Sequence, residues 1–105
     1  MVRVCDVLAA VERLAPPEFK MEWDNVGLLC GEKNAEVHKV LVALDPFLTV
    51  CEEAEEIGAD LIVTHHPLIF TAPRSVTDGD SVGRSILFLA RHRIAAINAH
   101  TNLDQ

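Results

Sequence analysis

The chain has 105 residues, of which 50% are hydrophobic and 24% are charged, and its formal net charge is −7. This length suits one domain that buries its own core, so we predict a single domain over residues 1–105. The acidic charge disfavours broad binding to nucleic acid or to anionic lipid. The sequence shows neither an apolar run long enough to cross a bilayer nor a secretory signal pattern, so we expect a cytoplasmic protein without a membrane segment.

The N-terminal part of the sequence predicts a helix and two strands. Apolar residues recur at helical spacing over residues 4–14, and Pro16-Pro17 prevents the helix from continuing. After a loop that contains Trp23, a short apolar strand is predicted over residues 26–31. Residues 37–44 are rich in β-branched and aliphatic side chains, which predicts a second strand buried along most of its length.

The rest of the chain alternates helices with strands. Thr49 and Glu52 have the spacing of a capping box, so a helix is expected from Thr49 to Gly58. Its inward side chains would be Val50, Cys51, Ala54 and Ile57. A third strand is predicted over residues 61–64, a polar loop over 71–81, a helix over 82–92 and a fourth strand over 94–99. Two successive crossovers predict an α/β fold whose mostly parallel or mixed sheet is flanked by helices.

The cysteines give little indication of chemistry. Cys5, Cys30 and Cys51 are odd in number, widely spaced and set among apolar residues. The spacing matches neither a zinc knuckle nor a redox pair. We therefore expect reduced thiols of the core.

Histidines follow two of the predicted strands. His65 and His66 come directly after the third strand, and His100 and Asp104 come after the fourth. The carboxyl ends of parallel strands meet at one edge of a sheet, which is where open α/β folds bind their ligands. These four side chains are therefore the candidate metal ligands.

Two interpretations of these histidines stand open on spacing alone. Adjacent strand side chains point to opposite faces, so His65 and His66 can address one site only if the strand ends there. Two neighbouring imidazoles would suit two metal ions, with Asp104 as a bridging carboxylate. Alternatively, backbone carbonyls satisfy both imidazoles and Asp104 caps a helix. Asp24 and Asp45 are interpreted as turn or capping residues.

Three motifs resemble those of the NGG-one-interacting-factor-three-like family, whose members are called GTP cyclohydrolase I type 2 homologues. The motifs are WDNVGLL at residues 23–29, GADLIVTHHPLIF at 58–70 and AHTNLD at 99–104. The resemblance implies a dinuclear metal centre in which His65 and His66 each bind one ion, Asp104 binds or bridges both, and His100 lies nearby. It also implies ring-shaped hexamers and a metal-dependent hydrolase that acts on a nucleotide or another phosphate-containing small molecule.

The chain departs from the family pattern in its length. Family members are much longer, are two-lobed, and supply further ligands from a C-terminal His-x-x-x-Glu motif. The resemblance therefore implies that residues 1–105 are the N-terminal part of such a protein, with an incomplete metal site and no activity alone. The metal would be zinc, iron, manganese, cobalt or nickel. Exposed apolar surface would favour self-association. The alternative is a non-catalytic oligomeric scaffold or regulatory protein with a structural metal.

Overall fold

A computed structural model of the chain describes residues 1–15, 25–69 and 73–99. Three helices and four strands lie within these ranges. In chain order they are α1 (Val4–Leu14), β1 (Gly27–Cys30), β2 (Val40–Ala43), α2 (Leu48–Ile57), β3 (Leu61–Thr64), α3 (Ser81–Arg91) and β4 (Ala95–Asn98). Among the described residues, no helix is long and apolar enough to cross a membrane.

The strands form one sheet in the order β1-β4-β3-β2. β2, β3 and β4 run parallel, with Val40 opposite Leu61 and Leu61 opposite Ala95. β1 pairs antiparallel with β4 and carries an irregularity between Leu28 and Cys30. The prediction of a mostly parallel or mixed sheet flanked by helices is therefore confirmed, and β1 is the antiparallel strand.

Helices cover both faces of the central strands. On one face Val4 of α1 belongs to a buried cluster with Leu61 and Ile97. On the other face Leu89 of α3 belongs to a second cluster with Ile62, together with residues of α2. Neighbouring residues of β3 thus enter opposite clusters, as the two-residue period of a strand requires. The apolar run of β3 is continuous because both of its faces are covered.

The predicted burial of the second strand is wrong. β2 is shorter than predicted and lies at the edge of the sheet, where Val40 is 38% exposed and Val42 is 74% exposed. The buried cluster around α1 includes Leu61 and Val63 of the neighbouring strand and no residue of β2. An aliphatic run has the same pattern in a central strand and in an edge strand, so the sequence did not distinguish them.

The start of α2 also differs from the prediction. The helix begins one residue before Thr49, and Phe47 is its N-cap, so the proposed capping box is wrong. The Phe47 carbonyl accepts hydrogen bonds from the amides of Val50 and Cys51 at 2.9 and 3.0 Å. Ile57 is 40% exposed and does not face inward as predicted, whereas Cys51 is fully buried.

Gly83 provides a test of how tightly α3 packs. The Asp80 side chain caps this helix by accepting a 2.7 Å hydrogen bond from the Gly83 amide. A methyl group at residue 83 would lie 2.0 Å from the Thr77 carbonyl oxygen, which is a backbone atom. We expect Gly83→Ala to lower the free energy of unfolding by about 1–3 kcal/mol, because the helix and the preceding turn must separate.

Urea denaturation checks this prediction, with Gly79→Ala as the control. A methyl group at residue 79 would meet only the Thr77 side-chain oxygen, at 3.2 Å. The control should therefore be the more stable of the two variants. Equal stability would contradict the close approach at Gly83.

Candidate metal centre

The candidate site lies at the carboxyl edge of the three parallel strands. β2, β3 and β4 end at Ala43, Thr64 and Asn98. The chain segments that follow these ends remain in contact. The His66 amide donates to the Leu44 carbonyl at 2.8 Å, and the Ala99 amide donates to the Thr64 carbonyl at 3.2 Å. The topology therefore joins the three strand ends by direct backbone hydrogen bonds between residues 22 and 35 positions apart.

β3 ends immediately before the two histidines, as a shared site requires. Thr64 is the last residue of the strand, and its buried hydroxyl donates a 2.7 Å hydrogen bond to the His66 carbonyl. This bond holds a bend in which the two residues are freed from the strict alternation of a strand. The imidazole centroids of His65 and His66 lie 5.4 Å apart, and the ring planes are tilted by 34°. The two rings therefore lie side by side at one edge of the sheet.

His66 is oriented by a carboxylate from the neighbouring strand end. Its Nδ1 lies 2.5 Å from Oδ1 of Asp45. An ionised carboxylate only accepts hydrogen bonds, so Nδ1 carries the proton and donates it. A neutral imidazole in this tautomer has its lone pair on Nε2, which is then the nitrogen able to bind a metal.

His65 is held in the same tautomer by the backbone. Its Nδ1 lies 3.0 Å from the carbonyl oxygen of Ala99. A carbonyl oxygen also only accepts, so this Nδ1 is protonated and Nε2 has the lone pair. Ligating histidines commonly donate their other ring N–H to a carboxylate or a backbone carbonyl, and this pair shows one case of each.

Asn98 joins the ends of β3 and β4 beneath the histidines. It is 2% exposed, and its Nδ2 donates to the carbonyl oxygens of Thr64 and His65 at 3.1 and 2.8 Å. Its Oδ1 is buried and accepts no hydrogen bond within the described part of the chain. Asn98 thus fixes the backbone from which the His65 side chain projects.

The other two predicted ligands, His100 and Asp104, lie outside the described residues. Among the residues that are described, no three metal-binding side chains form a cluster. The donor chemistry of His65 and His66 nevertheless suits a divalent ion, because imidazole nitrogens are common metal ligands and Nδ1 of each ring contacts an acceptor. Within the described part of the chain, these two imidazoles are therefore the candidate metal ligands.

Asp45 is the residue of the candidate site that the sequence analysis missed, because it was interpreted as a turn or capping residue. A signal was available. Asp45 directly follows the second predicted strand, and a carboxylate at a strand end shares the sheet edge with His66 if the strands are parallel and adjacent. The spacing of 21 residues by itself carries no indication of a pair, since only the order of the strands places them side by side.

Other residues of the motifs have structural roles. Gly58 ends α2 in a left-handed conformation with φ of 76°. Asp60 accepts hydrogen bonds from the amides of His38 and Lys39 before β2, at the opposite edge of the sheet. Asn25 donates to the Ile69 carbonyl at 2.7 Å and so anchors the segment that follows the histidines. The GADLIVTHHPLIF motif therefore combines a helix end, a buried strand and the site.

The thiols are not part of this site. Cys51 is fully buried in the core, and Cys5 and Cys30 are partly buried. Burial raises the pKa of the Cys51 thiol, although a hydrogen bond with Ser85 acts in the opposite direction. Burial also raises the pKa of Cys30.

Thiol alkylation should follow this order of burial. A raised pKa lowers the thiolate fraction at a given pH, and the thiolate is the reactive form. We expect iodoacetamide to modify Cys5 first and Cys51 last at a pH of about 8, as measured by peptide mass spectrometry over time. Denaturant should abolish the difference. Modification of Cys51 as rapid as that of Cys5 in the folded protein would contradict the buried position.

Comparisons with known proteins place the chain among longer relatives. Residues 2–105 match the family model described as Duf34/NIF3 (NGG1p interacting factor 3). A Clostridium perfringens protein named GTP cyclohydrolase 1 type 2 homolog is 41% identical over 103 residues, which are 98% of this chain and 39% of that protein. A Streptomyces coelicolor protein of the same name is 41% identical over 104 residues, covering 99% of this chain and 36% of that protein.

Solved structures show the same fold over almost the whole chain. The Staphylococcus aureus protein SA1388 superposes with a TM-score of 0.93 at 41% identity, over 98% of this chain and 29% of that one. Reduced HcgD from Methanocaldococcus jannaschii superposes with a TM-score of 0.90 at 35% identity, over 98% of this chain and 41% of that one. The chain thus spans well under half the length of these relatives. With a family model that matches residues 2–105, the sequence resemblance is confirmed, and the chain belongs to the Duf34/NIF3 family.

Proposed function

We propose that this chain supplies two imidazole ligands to the dinuclear metal centre of a hydrolase that acts on a nucleotide or another phosphate-containing small molecule. One observation carries the proposal. His65 and His66 are adjacent, and each donates its Nδ1 proton to an acceptor at the sheet edge. This arrangement presets both rings for ligation through Nε2, which is the usual way in which proteins orient histidine ligands.

The chemistry follows from the donors and their positions. Two divalent ions would supply a metal-activated water nucleophile and would stabilise the charge that develops in hydrolysis. His65 and His66 would each hold one ion, and Asp104 and His100 are the proposed further ligands. Asp45 would keep His66 in the ligating tautomer and would increase the electron density on its Nε2. Asn98 would keep the His65 backbone in place.

The names of the relatives support a nucleotide substrate. The Clostridium perfringens and Streptomyces coelicolor proteins are both called GTP cyclohydrolase 1 type 2 homolog. A cyclohydrolase opens a ring by adding water, which is a reaction that a metal-activated water can perform. GTP is therefore the first nucleotide to test.

Metal content and activity test the proposal separately. The purified chain is titrated with Zn²⁺, Mn²⁺ and Co²⁺, and a protein of the relatives' length that contains this chain is assayed against a nucleotide panel. We expect two ions per subunit in the longer protein and activity that a chelator abolishes. A metal-loaded protein that hydrolyses no member of the panel would favour the scaffold alternative. A longer protein that binds no metal would overturn the proposal.

A further inference from the structure

A cavity of about 260 Å³ opens directly beside the His66–Asp45 pair. Three segments form it: the connection from β2 to α2, the segment after β3, and the first turns of α3. Its walls are mainly apolar, with Phe47, Leu48 and Val82 among them. We call it the Pro46 cavity, because Pro46 lies on its wall.

Buried hydrogen bonds fix one wall of the Pro46 cavity. The Pro46 carbonyl accepts a 3.1 Å hydrogen bond from the hydroxyl of Ser85, which is 2% exposed. The Cys51 thiol lies 3.7 Å from the same carbonyl oxygen. These contacts tie the β2–α2 connection to both α2 and α3. The cavity is therefore a feature of the packed fold, as ligand pockets commonly are.

The volume limits what the cavity can hold. Pockets for complete drug-sized ligands are typically about 300–1,000 Å³. The Pro46 cavity is slightly smaller, which suits one flat ring system rather than a whole nucleotide. Phe47 is 61% exposed although it is aromatic and lines the cavity. An exposed aromatic face beside an apolar cavity is suited to stacking on a planar ring.

One polar group limits which ligands the cavity can bind. Asp45 uses Oδ1 to accept the hydrogen bond from His66. In the described part of the chain, Oδ2 takes part in no hydrogen bond, and a carboxylate oxygen accepts more than one. A ligand that packs against Phe47 and reaches Asp45 therefore has to present a donor, such as a ring N–H.

We propose that the Pro46 cavity binds a planar nitrogen heterocycle that donates a ring N–H to Asp45 and packs its face against Phe47. This second proposal rests on the proposed function only in that it treats the bound ring as part of the substrate. A heterocycle in this position lies next to Asp45 and the Nδ1 side of His66, whereas the ion that His66 would hold binds at Nε2 of the same ring.

The experiment measures ring binding without metal. The chain is freed of metal with a chelator and titrated with inosine, a purine nucleoside that has a ring N–H and no phosphate, while chemical shifts are followed by NMR. We expect saturable shifts at Phe47, Leu48 and Val82. 1-Methylinosine lacks the donor, so we expect it to bind at least about fivefold more weakly. No saturable shift with inosine, or equal affinity for both nucleosides, would overturn the proposal.

A matched pair of variants locates the binding. Val82 and Leu87 both lie on α3 and are 38% and 37% exposed, but only Val82 lines the Pro46 cavity. We expect Val82→Trp to fill the cavity and weaken inosine binding at least about tenfold, whereas Leu87→Trp should leave it within about twofold. Equal effects would contradict the assignment. If Val82→Trp does not fold, the difference in affinity between inosine and 1-methylinosine for the unmodified chain still tests the proposal.

The two proposals fail in different ways. Metal binding and hydrolysis are absent from the inosine titration, so a protein without metal or activity can still bind the heterocycle. A metal-loaded active protein that binds no inosine in the Pro46 cavity would retain the proposed function and overturn only this inference.

Discussion

His66→Ala is expected to weaken Zn²⁺ binding by more than the loss of the carboxylate that orients this histidine. The variant removes one of the two imidazoles that the fold orients at the sheet edge. Asp45→Asn should have a smaller effect of about 10–100-fold, which is typical for the loss of the group that orients a histidine ligand. Competition with a chromophoric chelator measures both affinities at one pH.

His38→Ala is the matched control for this experiment. His38 is also a histidine, but it precedes β2 and lies at the opposite edge of the sheet, with its side chain 75% exposed. We expect its substitution to leave the affinity unchanged. If the His38 and His66 variants bind zinc equally well, the metal centre is not at the carboxyl edge. If Asp45→Asn binds as tightly as the unmodified chain, the carboxylate has no orienting role.

Asn98→Asp is expected to lower the free energy of unfolding more than Gly83→Ala or Asn98→Leu. The Asn98 amide donates to two backbone carbonyls in a buried position. A carboxylate there would face two acceptors without any donor of its own. We expect a loss of at least about 3 kcal/mol in the free energy of unfolding at neutral pH, because an uncompensated charge is buried.

The pH dependence of Asn98→Asp separates charge from packing. Burial and the two carbonyls favour the protonated form of the introduced carboxyl, so its pKa is higher in the folded chain than in the unfolded one. Stability is then lost as pH rises and partly recovered as pH falls. Urea denaturation at two pH values measures the change.

Asn98→Leu serves as the control, since it removes the donors without adding a charge. It should cost about 1–3 kcal/mol, with little dependence on pH. A loss for Asn98→Asp that is the same at both pH values would contradict the buried hydrogen-bond role.

The local features of the fold could be predicted well because they depend on nearby residues. Periodicity gave α1 its bounds, and Gly58 marked the end of α2 because a residue without Cβ tolerates a positive φ. Apart from the start of α2, where the predicted capping box is absent, the failures concern neighbours that are distant in sequence. Whether Val42 is covered depends on which strand lies beside β2 and how far α1 reaches across the sheet. The pattern of residues 37–44 carries no information about the neighbouring strand or about the position of α1.

The candidate site shows the same difference between features that are local in sequence and features that only the fold brings together. His65-His66 at a strand end could be recognised directly, because the apolar run and the following proline are contiguous in sequence. The acceptors that orient these rings, Asp45 and the Ala99 carbonyl, could not. The Ala99 acceptor is a backbone group, which every residue has, so no residue type marks it.

By itself the sequence determined the family, the α/β class, the order of helices and strands, and the pair of imidazoles as candidate ligands. Periodicity and contiguous motifs carry this information, since they depend on residues that are close along the chain. The tertiary structure alone decided that β1 is antiparallel, that β2 is an edge strand, and that Asp45 orients His66. These depend on which strand ends become neighbours, and that is a property of the packed sheet as a whole.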